Sequence, residues 1–98
     1  MLKDIEVPAD KIAEFCRRWH ITRLAFFGSV LTDEFGPESD LDVLVEFEPG
    51  HVPGLDFVDA EDELSEIIGR KVHLNTPQCL SRYFRDKVIA GAEVVYAE

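Results

Sequence analysis

Apolar positions along the chain change period several times, and each change predicts an element. Ile12, Phe15, Cys16 and Trp19 recur at i, i+3, i+4 and i+7, the stripe of an amphipathic helix over residues 8–19. Pro8 suits its first turn, where a missing N–H costs nothing, and His20 is placed to cap its last carbonyls. Ile21–Phe27 is rich in β-branched and aromatic residues and predicts a strand. Residues 29–35 predict a short helix or turn with Val30, Leu31 and Phe35 inward, closed by Gly36 and Pro37. Residues 40–47 form a near-continuous apolar run, as in a central strand covered on both faces. Residues 48–54 read as a loop that could act as a flap, with His51 solvated.

The second half follows the same logic. Phe57, Ala60, Leu64, Ile67 and Ile68 share one face of a helix predicted over 55–68, which Gly69 terminates. Asp56, Asp59, Glu61, Asp62, Glu63 and Glu66 cover the rest of it and predict a solvated face. Val72 and Leu74 alternate with Lys71 and His73 in a third strand over 70–75. Thr76 and Pro77 are N-cap and first-turn residues for a last helix reaching about Ala90. Leu80, Tyr83, Phe84 and Val88 are expected inward on it, and Arg82, Arg85 and Lys87 outward. Gly91 ends that helix and residues 93–96 add a short strand. The expectation is one domain over residues 1–98, of α/β (α+β) class, a small sheet flanked by helices.

Composition narrows the function classes. The chain has 98 residues and an apolar fraction of 46%, which is that of an ordinary globular protein. No apolar run approaches the roughly 20 residues that span a bilayer, and the start carries no secretory pattern, so a cytoplasmic protein without a membrane contact is expected. Cys16 and Cys79 form no C-x-x-C pair and read as buried thiols. The net charge is −10, and from Leu24 to Gly69 there are thirteen Asp and Glu but no Lys or Arg. Such a surface repels nucleic acid and suits a basic partner, or serves solubility alone.

The chemistry concentrates between Phe26 and Val45. An apolar strand breaks at Gly28-Ser29, and the chain returns through Ser39-Asp40-Leu41-Asp42 into a second strand. Two residues apart on a strand, Asp40 and Asp42 share a face with Leu41 on the other. Close carboxylates repel, a divalent cation relieves the repulsion, and Mg²⁺ is commonly held by one or two carboxylates plus substrate phosphates. Gly28 permits a sharp turn or a close backbone approach, and a helix start after it offers free N–H groups to an anion. Singly, each feature is common on solvated strand edges and turns; the combination points to a metal–phosphate site.

Gly28-Ser29, ten intervening residues, then Asp40-Leu41-Asp42 resembles the signature of the minimal nucleotidyltransferases of the DNA polymerase β superfamily, MntA-type antitoxins among them. Gly69-Arg70-Lys71-Val72-His73-Leu74-Asn75-Thr76-Pro77 is similar to a later stretch of that family, so the likeness covers nearly the whole chain. The resemblance implies a polymerase β palm-like fold with a small mixed sheet. It implies transfer of AMP from ATP with Mg²⁺ or Mn²⁺, with Gly28, Ser29 and Ser39 on the triphosphate, Asp40 and Asp42 on the metals, and the residue at 73 as the third catalytic group. It further implies an antitoxin that modifies a tyrosine of a HEPN-type toxin. The alternative is a module of the same fold that neutralises the toxin by binding; homo-oligomerisation stays open. Three positions depart from the pattern: His73 stands where the family has Asp, and Thr32 and Asp33 where it often has Arg-Gly. Imidazole suits Mn²⁺ or Zn²⁺ better than Mg²⁺ and can also accept a proton.

Overall fold

The computed structural model describes residues 8–31, 36, 40–51, 53–83 and 85–97, with Ser29 and Cys79 by backbone only. Helix α1 (Ala9–Trp19) leads into strand β1 (Ile21–Phe27) and a 3-10 turn at Gly28–Leu31. Strand β2 (Leu41–Phe47), helix α2 (Phe57–Ile68) and strand β3 (Val72–Asn75) follow. A 3-10 turn at Pro77–Cys79, helix α3 (Arg85–Gly91) and strand β4 (Glu93–Ala97) complete the order. The sheet order is β3-β2-β1-β4, with β1 antiparallel to both β2 and β4 and β2 parallel to β3. This is the small mixed sheet flanked by helices that the sequence predicts, with β2 central.

One face of the sheet carries the core. Ile12, Phe15 and Cys16 of α1 and Ala60 and Leu64 of α2 bury against Leu24, Phe26, Leu41, Val43, Val45, Val72 and Leu74. By strand alternation Asp42, Leu44 and Glu46 face the other way. Leu44 is itself buried, so β2 is covered on both faces over part of its length. The Pro77–Cys79 turn packs against β2. It lies on the connection that carries the chain from the β3 edge to the β4 edge.

Helix ends follow local chemistry. Gly69 closes α2 in the left-handed region at φ 79°, where glycine carries no steric cost. His20 closes α1 in the same region at φ 59°, but its backbone N–H, not its imidazole, caps Arg17 and Cys16. The imidazole turns away to pair with Glu48 at 3.0 Å and stacks on the exposed His51.

The predicted helix from Thr76 to Ala90 is broken. Leu80 is extended (φ −89°, ψ 144°), and helix resumes only at Arg85. The Ser81 hydroxyl accepts the Tyr83 N–H, and Arg85 donates to the Leu80 carbonyl. These local bonds give the backbone an alternative to the helical ladder. The 3.6-residue stripe is lost at the break, so Tyr83 is 86% exposed rather than inward. Phe35 and Phe84, also expected inward, lie outside the described residues. Val30 does pack on the core, whereas Leu31 is 40% exposed. Among the described residues no helix is long and apolar enough to cross a membrane.

Candidate functional site

Sheet register assembles the site. Phe27, the last residue of β1, pairs with Asp42 on β2, and Asp42 in turn pairs with His73 on β3. Residues opposite one another on adjacent strands share a face with their Cβ atoms about 4.5–5.5 Å apart. Phe27, Asp42 and His73 therefore form one row across the open face. Gly28 follows Phe27 at φ 81°, and a Cβ built on it would collide with the Asp42 carboxylate. A side chain at 28 would meet both backbone strain and that collision, so glycine is what lets the turn lie against Asp42.

His73 lies opposite Asp42 in the register but bonds elsewhere. Its Nε2 is 2.6 Å from Asp40 Oδ2, with the two side chains 48% and 41% exposed. An exposed pair of this kind contributes at most about 1 kcal/mol. Its consequence is chemical: His73 occupies a carboxylate oxygen that a metal would use. Asp42 is half-buried, and this burial pushes its carboxyl above the ordinary range. The neighbouring His73 opposes that rise and the Asp40 carboxylate adds to it.

The donor set fits a hard cation as a two-carboxylate site. Asp40 and Asp42 supply oxygens on one face, and Gly28 lets the backbone of its turn lie against the Asp42 carboxylate. Among the described residues no group of three or more His, Cys, Asp or Glu is arranged to hold a metal, so His73 does not complete a three-ligand cluster with them. Of the candidates from sequence, Asp40, Asp42, His73 and Gly28 come together. Ser29 follows in the same turn by its backbone, and Ser39, Thr32 and Asp33 lie outside the described residues.

Three supporting groups escaped the sequence reading. β3 is an edge strand, and two of its N–H groups are taken by side chains of α2. Val72 N–H donates to Ser65 Oγ at 3.0 Å, and Leu74 N–H donates to Glu61 Oε2 at 2.8 Å. They flank His73 and hold its strand in place. The acidic face of α2 is thus not all solvated: Glu61 caps β3, and Glu63 takes Trp19 Nε1–H and Arg18. Arg70 donates to the Gly36 carbonyl at 2.9 Å, tethering the segment between the two halves of the motif. The side chains of α2 gave no signal for this, because a carboxylate that caps a strand and one in water look alike in sequence.

Residues 9–94 match the family model described as a nucleotidyltransferase domain. The chain is 32% identical over 84 residues to a protein adenylyltransferase, MntA, of Thermococcus cleftensis, covering 85% of this chain and 81% of that protein. It is 32% identical over 82 residues to a predicted protein adenylyltransferase of Methanocaldococcus jannaschii, covering 84% and 87%. A solved structure of a predicted minimal nucleotidyltransferase superposes with a TM-score of 0.71 at 31% identity, over 86% of this chain and 85% of that one. A toxin-antitoxin crystal structure with AMP-PNP shares the fold, with a TM-score of 0.73 at 16% identity over 94% and 75%.

Proposed function

From the premise that this chain belongs to the nucleotidyltransferase domain family, we propose that it transfers AMP from ATP to a hydroxyl of a protein partner, as the antitoxin of a toxin–antitoxin pair. The observation that carries this reading is the contact edge between Gly28 and the Asp42 carboxylate, with Asp40 two residues away. In this reading the backbone of the glycine turn takes the phosphates beside two carboxylate ligands on one open face. The relatives named as protein adenylyltransferases support the reaction class, and the toxin-antitoxin neighbours support a protein as its acceptor. The acceptor in this reading is a tyrosine of a HEPN-type toxin.

In the reaction a hydroxyl oxygen attacks the α-phosphorus, a new P–O bond forms, and the bond to pyrophosphate breaks. Asp40 and Asp42 would hold Mg²⁺ or Mn²⁺. Such an ion neutralises charge on the phosphoryl oxygens and the leaving group. Gly28 and the Ser29 backbone admit the triphosphate, with Ser39 beside the aspartates in sequence. His73 orients Asp40 and withdraws one of its oxygens. Its ring nitrogen can take the proton released by the hydroxyl. The acidic segment between residues 33 and 66 meets the basic surface of the partner, so association slows as salt rises.

One observation favours a second reading. The His73–Asp40 bond competes with the metal, which suits a chain that neutralises its toxin by binding alone. Transfer of labelled AMP from ATP to the toxin separates the two. Slow transfer with Mg²⁺, faster with Mn²⁺ and faster again in His73→Asp, is the expected result; each tenfold gain corresponds to about 1.4 kcal/mol of barrier. No transfer by either protein, while both still neutralise the toxin, selects the binding reading.

A further inference from the structure

Strand β3 accompanies β2 only part of the way. Their register runs from Leu41↔Val72 to Leu44↔Asn75, and the chain then turns off through Thr76 and Pro77. Val45, Glu46 and Phe47 continue β2 with no β3 residue beside them. The departure leaves a notch of about 140 Å³, with Val45, Glu46 and Phe47 on one side and Thr76, Pro77 and Gln78 on the other. Small-molecule sites run to roughly 300–1,000 Å³, so this notch suits a single side chain. It lies at the opposite end of β2 from the carboxylate pair. Glu46 is four residues from Asp42 on the same face, about 13 Å along the strand.

The lining divides by chemistry. Phe47 and Pro77 are half-buried and supply apolar walls. Glu46 supplies a carboxylate, 44% exposed, and the exposed Gln78 an amide oxygen. Arg23, opposite Glu46 on β1, holds its Nε 3.9 Å from the carboxylate. That exceeds hydrogen-bond length, so Glu46 keeps acceptor sites open. Among the described residues no other cation pairs with it. An apolar side chain seated here would strip water from the carboxylate without replacing it, which is costly. A small anion would be repelled. Lysine and arginine fit both parts of the lining, because each carries a cationic head on an apolar stem.

We propose that this notch takes a lysine or arginine side chain of a protein partner. The stem lies between Phe47 and Pro77, and the head meets the Glu46 carboxylate with the Gln78 amide beside it. The long acidic segment attracts a basic surface without fixing where it sits. The notch adds one place where a single cation is held, which sets register. That the partner is the protein receiving AMP rests on the function proposed above; the preference of the notch for a cation does not. In that case the notch anchors the acceptor at the far end of β2 from Asp40 and Asp42.

The test is amide NMR of the full chain titrated with the blocked peptide acetyl-Ala-Ala-Arg-Ala-Ala-amide. A control peptide carries citrulline, which keeps the shape of arginine and removes its charge. The arginine peptide should shift the amides of Glu46, Phe47 and Gln78, and the citrulline peptide should bind about tenfold more weakly. Glu46→Gln should weaken the arginine peptide about tenfold. Glu14→Gln removes the same charge from exposed α1 and should change affinity by less than about twofold. Arg23→Gln should tighten binding, because it removes the competing cation. Unmoved Glu46, Phe47 and Gln78 amides at millimolar peptide, or shifts centred elsewhere on the acidic surface, would overturn the site. Equal losses in the folded Glu46→Gln and Glu14→Gln variants would assign the attraction to net charge and overturn it too. Equal binding of the citrulline peptide would overturn the choice of a cation. AMP transfer to the toxin is scored separately: notch binding without transfer would overturn the adenylyltransferase reading and leave the notch standing.

Discussion

The two faces of the sheet have been put to different uses. The face under α1 and α2 is closed: Phe15, Cys16, Leu24, Phe26, Leu41, Val43, Val45, Ala60 and Leu64 have no accessible surface. The face that carries Phe27, Asp42 and His73 is covered only in part, and its charged side chains remain open to solvent. The same strand serves both, since alternate residues of β2 point to opposite sides. The closed face holds the sheet rigid through dispersion and apolar burial. The open face can then place carboxylates beside a glycine turn, at a cost in stability that the closed face offsets.

That division predicts mutational effects of different kinds. Leu64→Ala, under the closed face, should cost about 2–5 kcal/mol by loss of apolar contacts and the cavity left behind. A urea titration would register it as a lower midpoint, while any remaining folded protein keeps its affinity for metal–ATP. Gly28→Ala should cost about 1–2 kcal/mol for the positive φ alone, plus displacement of the Asp42 carboxylate. Here nucleotide affinity should fall far more than stability, so calorimetry and thermal melts should disagree in rank.

Ser65→Ala sits between the faces. It leaves the core untouched but strips the Val72 N–H of its acceptor, a loss of about 1–2 kcal/mol. Amide exchange should speed up along β3 and not along β1. Uniform acceleration across the sheet would mean that the α2 cap is not what holds the edge strand.

The smallest expected effect has the opposite sign. Burial raises the Asp42 carboxyl above its unfolded value, so the folded chain holds that proton more tightly than the unfolded one. Stability from this group is therefore present at low pH. It is lost as pH climbs from the unfolded value, near 3.9, through the raised folded value. At neutral pH, with chelator present, Asp42→Asn should melt slightly higher than wild type, and the gain should vanish below about pH 4. A variant that melts lower at pH 7 would show that the charged carboxylate stabilises the metal-free fold.

Much of this division was legible in the sequence. The β-branched and aromatic run of Ile21–Phe27 and the near-continuous apolar run of residues 40–47 point to β1 and β2, and the Gly28-Ser29 to Asp40-x-Asp42 spacing points to the site where they adjoin. The 3.6-residue stripe of Ile12, Phe15, Cys16 and Trp19 gives α1 to within a residue. What escaped depended on competition among local bonds or on partners distant in sequence. The break at Leu80 arises from Ser81 and Arg85 bonding to nearby backbone, which an apolar stripe running through Tyr83 conceals. Glu61 and Ser65 resemble any solvated helix residues until β3 is laid beside them.

The central claim is that Asp40, Asp42 and Gly28 form a metal-dependent triphosphate site on the open face. Calorimetric titration of ATP into the chain, with Mg²⁺, with Mn²⁺ and with chelator, tests it most directly when paired with an Asp40→Asn, Asp42→Asn double variant. The account predicts metal-dependent binding by the wild type and loss of the metal-dependent part in the double variant, whose fold persists. Equal affinity of the two proteins for metal–ATP would contradict it.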